Sequence, residues 1–372
     1  MRFAFCLFKY FPFGGLQRDF LKIVTICLSR GHHVDVFAGA WEGEIPEDFH
    51  VSILPSHGLT NHRRCESFAK SYNDHRTQNE YDSVIGFNKM PGLDVYFSAD
   101  YCFAAKAYEK GLLYRLTGRC RSYLRLEQAV FGSQSKTEIL LISEREKDFF
   151  IRHYNTAEER FHLLPPGISK DRLAPRNTEE ARASFRRDLN IGMDEKVVLM
   201  VGSGFKTKGV DRAIRGLSSL TAEVGSMTIL LVVGNDNSKP FERLAKRLGV
   251  ADRIRFVGGR EDVPRFLVGA DLLLHPAVRE NTGTVLVEAM ASGLPVLATD
   301  VCGYGNYIRS ARAGELIPAP FRQETLNRLL ISMLTSENRS QWGQNGMEYV
   351  SKNDVFNLHE KAVDIIEQVA SC

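Results

Sequence analysis

Short apolar runs alternate along this chain with longer amphipathic segments, and that alternation limits the fold more than any single motif. Continuously apolar runs such as "RFAFCLF" and "KVVLMVG" suit strands covered on both faces, and parallel strands of that kind need a crossover, usually helical, between them. In the first half "HVDVFA", "DSVIGF", "LDVYFS" and "EILLIS" repeat the pattern, and in the second "TILLVVG", "IRFVG", "DLLLHP" and "PVLATD" do so. Between the first two runs Leu16, Phe20, Ile23, Val24 and Cys27 recur at helical spacing up to Gly31. The expected fold is α/β, two Rossmann-like domains of parallel sheet facing a central cleft. With 372 residues, the chain has the length of two ordinary domains. Pro165, Pro166, Gly167 and Pro175 interrupt "FHLLPPGISKDRLAPRNTEEAR", the expected linker. The expected domains are 1–165 and 166–352, with an amphipathic helix in 353–372 packing back on the first.

Composition narrows the function. The chain is 44% hydrophobic and 25% charged with a formal charge of +3, too weakly basic to indicate nucleic acid. Its seven cysteines (Cys6, Cys27, Cys65, Cys102, Cys120, Cys302 and Cys372) show no C-x-x-C or Cys/His metal spacing, which fits reduced thiols in the cytoplasm. The opening "MRFAFCLFKYFPFGG" is broken by Lys9 and lacks a small-residue cleavage site, so it does not read as a signal peptide. No run approaches the roughly 18 apolar residues of a membrane span.

Two strand-to-helix joints could receive an anion. In "KYFPFGGLQRDF", Gly14 and Gly15 let backbone N–H groups approach a phosphate, and Asp19 sits early on the helix; a plain tight turn explains the same residues. In "LMVGSGFKTKGVDRAI", Lys208 follows a glycine-rich loop as a point charge or as a solvated loop lysine. Neither joint is a dinucleotide or Walker fingerprint.

The stretch "HPAVRENTGTVLVEAMASGLPVLATD" adds two carboxylates, Glu280 in a loop and Glu288 inside the following helix. At about 1.5 Å of rise per residue they stand roughly 10 Å or more apart. A glycosidase pair is closer, at about 5–9.5 Å. The spacing suits two grips on one extended ligand with an anion at the helix start between them, although two surface glutamates flanking a core helix would explain E-x7-E taken alone.

R-E-x-x-G-x-x-x-x-E-A followed by "SGLPVL" resembles the signature of the retaining GT-B glycosyltransferases of family 4. "KYFPFGGLQRDF", "GFNKMPGLDVYF", "LPPGI", "KGVDR", "ADLLLHPA" and "VCGY" are similar to the branch that glucosylates the inner-core heptose of lipopolysaccharide from UDP-glucose. The resemblance implies that Glu280 holds the transferred sugar and Glu288 the ribose. It implies that Lys208 and the Gly15 backbone neutralise the diphosphate, helped by N–H groups of Thr282, Gly283, Thr284, Val285 and Leu286, with Asn281 beside them. Arg260 would border the base, Arg172 would reach the phosphates, and Asp19 would face the acceptor. Where the family pairs its lysine with an arginine this chain offers Lys206, and Asp100 stands where many members carry a histidine. Retention would need no protein nucleophile. The leaving diphosphate would assist deprotonation of the acceptor hydroxyl. No Asp-x-Asp occurs, so no metal and no cofactor beyond the UDP-sugar co-substrate is expected.

Residues 106–131 carry Lys106, Lys110, Arg115, Arg119, Arg121 and Arg125, interleaved with tyrosines, and Leu112, Leu116, Cys120 and Leu124 recur as a helical stripe. A basic amphipathic segment suits an anionic membrane surface, or packs its stripe on the domain. Three readings follow. The first is a peripheral transferase acting on lipopolysaccharide at the inner membrane face. The others are a UDP-sugar epimerase of the same fold and a non-catalytic binding module.

Overall fold

The computed structural model describes residues 1–12, 14–76, 80–170 and 178–371. Two compact units result: Met1–Pro165 with Asn357–Cys372, and Pro166–Phe356. Asn353 to Phe356, expected to cross back, thus belong to the second unit, and the return begins at Asn357.

In the first unit β1 (Arg2–Leu7), β2 (His33–Ala38), β3 (His50–Ile53), β4 (Ser83–Gly86), β5 (Val95–Ser98), β6 (Glu138–Leu141) and β7 (Phe161–Leu163) form one parallel sheet, in the order β3-β2-β1-β4-β5-β6-β7. The apolar N-terminal run is therefore an interior strand. Side-chain alternation sends Phe3, Phe5 and Leu7 to one face of β1 and Ala4 and Cys6 to the other. The first face meets Phe20, Ile23, Val24 and Cys27 of helix Gly15–Ser29, the residues whose spacing announced that helix. Helix Leu358–Ala370 adds Leu358, Ala362, Val363 and Ile366 to the same core. Its polar edge is tied by Arg30 to Asp364 (2.9 Å) and Glu367 (2.8 Å), by His32 to Glu367 (2.6 Å), and by His359 to Asp19 (2.9 Å).

The second unit holds β8 (Lys196–Val201), β9 (Thr228–Val233), β10 (Ile254–Phe256), β11 (Leu272–His275), β12 (Val296–Thr299) and β13 (Gly314–Ile317), all parallel, in the order β10-β9-β8-β11-β12-β13. Asp271, just before β11, accepts from the Val197 N–H, from Arg182 and from Arg186, each at 2.7 Å. This buried charge knot pins helix Thr178–Asp188 to the β8/β11 pair. Three strands escaped the sequence reading: β3, β7 and β13, each at a sheet edge. The expected linker also shrinks, because "FHL" is β7 and Thr178 opens a helix.

Cys6, Cys27, Cys102, Cys120 and Cys302 are buried, Cys65 is half-buried, and none of these six is in a disulfide; Cys372 lies outside the described residues. Among the described residues, no helix is long and apolar enough to cross a membrane.

Candidate functional site

In open parallel sheets ligands bind beyond the carboxyl ends of the strands, where the strand order reverses. In the second unit that point is the β8/β11 pair, and both loops leaving it carry expected site residues. The loop after β8 enters the short helix Phe205–Lys208, which ends in Lys208. The loop after β11 carries Glu280 ahead of helix Thr284–Ala291.

The two loops are stitched together by backbone. Val278 N–H donates to the Thr207 carbonyl (2.8 Å), and Arg212 donates to the carbonyls of Pro276 (3.1 Å) and Ala277 (3.0 Å). Gly209 makes this approach possible. It has φ +77°, and a Cβ there would stand 2.1 Å from the Pro276 carbonyl oxygen. From the other side Glu280 bridges to Cys302, Tyr304 N–H donates to the Thr282 carbonyl (2.8 Å), and Thr299 Oγ1 donates to the Ala277 carbonyl (2.8 Å).

This scaffold brings Lys208, Glu280 and His275 together. The Lys208 ammonium donates to Glu280 Oε2, and His275 Nε2–H donates to the same oxygen at 3.0 Å. The carboxylate acceptor fixes the proton on Nε2. Both contacts fall on Oε2 and leave Oε1 for another donor. Burial alone would raise the Glu280 carboxyl. The His275 hydrogen bond and the Lys208 charge outweigh it and hold the group down at about 2. His275 is 1% exposed, and its Nδ1 is buried with no partner among the described residues. The sequence reading passed over His275. Its only signal was a polar residue closing the otherwise apolar strand "LLLH".

The helix after Glu280 starts from Gly283 at φ +86° without a side-chain cap, so its first N–H groups face outward. Leu286 is an exception to the expected anion contacts, because its N–H donates to the Gly283 carbonyl at 2.8 Å. Thr284 is exposed, Asn281 and Thr282 are half-buried, and Val285 is buried. Glu288 lies one turn inside the helix, half-buried. Lys206 is exposed two residues before Lys208.

The remaining expected residues are placed differently. Arg260 is exposed after β10 and engaged side-on by Asp262, at 2.8 and 2.9 Å. Arg172 lies outside the described residues. In the first unit the order reverses at β1/β4. Phe8 N–H donates there to Asn88 Oδ1 (2.7 Å), and Gly14 caps helix Gly15–Ser29, with open space where a Cβ on Gly15 would stand. The Asp19 carboxylate is held by His359, which gives it a part in anchoring the C-terminal helix. Lys89 beside this joint is tied to Glu127 (2.6 Å), a fully buried carboxylate that also accepts from Tyr154 (2.6 Å) and from the N–H groups of Phe103 and Ala104 (2.8 Å each). Asp100 is exposed nearby, its charge acting on Lys89.

The basic segment is not one helix. It breaks into Phe103–Glu109, Leu112–Arg115 and Gly118–Phe131, with Gly111 at φ +85° and Thr117 capping the last. The expected stripe splits accordingly. Cys120 is buried and Leu124 half-buried, whereas Leu112, Leu113 and Leu116 are 64%, 84% and 54% exposed. Lys110, Arg119, Arg121 and Arg125 are exposed around them, and Lys106 and Arg115 are half-buried.

Residues 181–349 match the glycosyl transferases group 1 family. The lipopolysaccharide glucosyltransferase WaaG of Escherichia coli K12 is 46% identical over 98% of both chains. The chain belongs to the lipopolysaccharide glucosyltransferase family. A crystal structure of WaaG, a glycosyltransferase involved in lipopolysaccharide biosynthesis, superposes with a TM-score of 0.88 at 45% identity, covering 98% of this chain and 99% of that one. The fold of this family, GT-B with two parallel-sheet α/β domains, is that of the chain. Anabaena HepE, solved with UDP-glucose, shares the fold at a TM-score of 0.74 and 18% identity, over 99% of this chain and 100% of its own.

Proposed function

We propose that the chain is a metal-independent, retaining glucosyltransferase that moves glucose from UDP-glucose to an inner-core heptose of lipopolysaccharide. It works at the inner face of the cytoplasmic membrane. The observation that carries this reading is the half-buried Glu280 carboxylate held by His275 beside Lys208, at the carboxyl end of β11. Kinship to the Escherichia coli lipopolysaccharide glucosyltransferase supports the donor sugar and the acceptor.

Lys208 and Glu280 form an ion pair that neutralises both charges. An arriving diphosphate competes for the lysine, and His275 keeps the carboxylate in position when the lysine turns to it. Glu280 Oε1 then accepts from hydroxyls of the glucosyl group, while Glu288 takes the ribose. The uncapped start of helix Thr284–Ala291 adds N–H groups to the phosphates. As the glycosidic bond breaks, negative charge builds on the diphosphate, where Lys208 and these dipoles stabilise it most. A phosphate oxygen takes the acceptor proton on the face being left, which retains configuration. Groups held in position by the loop contacts before the donor arrives do most of the work.

The exposed leucines at 112, 113 and 116 support a membrane contact, since they stand among basic side chains: Arg115 lies over Tyr108 (4.0 Å) and Lys110 over Tyr114 (4.6 Å). Each cation near an anionic surface contributes about 1 kcal/mol.

The test is turnover of a panel of UDP-sugars in EDTA, with and without lipopolysaccharide truncated after heptose. Consumption of UDP-glucose only with acceptor supports the transferase. Turnover without acceptor would identify an isomerase or hydrolase instead.

A further inference from the structure

We propose that His33, Asp35 and His50 form a binding site for a divalent cation of the zinc type, remote from glycosyl transfer. Strands β2 and β3 run parallel with Asp35 opposite His50. Side chains alternate along a strand, so His33 and Asp35 share a face. One donor atom from each of the three side chains lies within 4.8 Å of the other two, and among the described residues this is the one group of His, Cys, Asp or Glu side chains gathered so closely. His33 Nε2 is 3.5 Å from Asp35 Oδ1, and the two imidazoles meet edge-to-face with centroids 5.6 Å apart. In a tetrahedral site with bonds of about 2.0–2.1 Å, donors stand roughly 3.4 Å apart. The first pair has that spacing already, and the exposed His50 needs only a rotamer adjustment to join it.

The carboxylate is built as a ligand. Asp35 is mostly buried, at 17% exposure, and its Oδ2 accepts from Arg2 (2.9 Å) and Tyr81 (3.1 Å), while Oδ1 faces His33. Hydrogen bonds to the outer oxygen that fix the inner one are the usual support of a metal-ligating carboxylate. Two imidazoles and one carboxylate favour Zn²⁺, Co²⁺ or Ni²⁺ over the oxygen-seeking Mg²⁺ and Ca²⁺, and leave a position for water.

His33 and His50 open their strands, at the end of the sheet opposite the carboxyl ends where the Gly14–Gly15 joint lies. The ion therefore takes no part in sugar transfer. It clips the four-residue edge strand β3, paired on one side only, to β2.

The test uses the full chain without an affinity tag, stripped of metal and titrated with Zn²⁺ by calorimetry in neutral buffer. Co²⁺ serves as a visible-absorption probe. One saturable ion per chain is expected, with a rise in Tm. His33→Gln and His50→Gln should each weaken binding at least about tenfold, and Tyr81→Phe about tenfold through loss of its support. Circular dichroism and glucosyl transfer should not change in the two histidine variants. Absence of saturable binding, or Zn²⁺ affinity retained by both histidine variants, would overturn the site.

Discussion

At the scale of single residues, Glu280 does two things that its position in the sequence separates poorly. It is a half-buried charge held on Oε2 by two partners, and in the proposed function its Oε1 accepts from the transferred sugar. Replacing it by alanine should lower kcat/KM about 100-fold or more, the loss typical of a preorganised polar contact to the transition state. His275→Ala removes a hydrogen bond to a charged group, worth about 1.5–3 kcal/mol, or about 10–100-fold in kcat/KM. His275→Gln should recover part of that loss, because its amide can donate from nearby; steady-state kinetics on the pair checks this. The depressed Glu280 carboxyl also predicts a direction with pH. Its stabilising contribution is complete above the unfolded value of 4.5 and is lost as pH falls towards about 2. Urea unfolding between those limits should therefore lose less stability in Glu280→Gln than in the parent chain. Glu280 and Lys208, which the structure brings together, could be picked out in the sequence because loop and helix punctuation marks them. His275 was not, because one polar residue at the end of a buried strand carries no period.

At the scale of elements, the site depends on two loops that touch only because one residue has no side chain. Gly209→Ala brings a Cβ against the Pro276 carbonyl and imposes strain at φ +77°. A cost of about 1–3 kcal/mol is expected, with a raised KM for the donor as Lys208 shifts away from Glu280. Chemical denaturation and donor titration measure the two effects. The closing helix makes a separate prediction. Ile366→Ala leaves a hole in the core that Ile366 shares with Phe20 and Val24 and should destabilise the first unit by about 2–5 kcal/mol in urea unfolding. Interior strands were readable from sequence because both faces are covered and the runs are apolar throughout. The edge strands "HVSI", "FHL" and "GELI" meet fewer neighbours, carry polar residues, and look like loops. The basic segment failed for a related reason: residues at helical spacing predict one stripe only if the helix is unbroken, and Gly111 and Thr117 break it.

At the scale of the whole molecule, the chain carries the Lys208–Glu280–His275 constellation on one unit and three exposed leucines among basic side chains on the other. Leu112→Asp with Leu113→Asp should reduce sedimentation with anionic vesicles several-fold while leaving turnover of a detergent-dispersed acceptor unchanged. Raised salt should weaken vesicle binding in the parent chain. The central claim is that the Lys208–Glu280–His275 constellation drives glucosyl transfer to lipopolysaccharide. The most direct measurement is the mass of heptose-terminated lipopolysaccharide after incubation with UDP-glucose in EDTA, comparing the parent chain with folded Glu280→Ala. The account predicts gain of one hexose with the parent chain and a rate about 100-fold lower or less with the variant. An acceptor left unchanged by the parent chain, or extended equally fast by the variant, would contradict it.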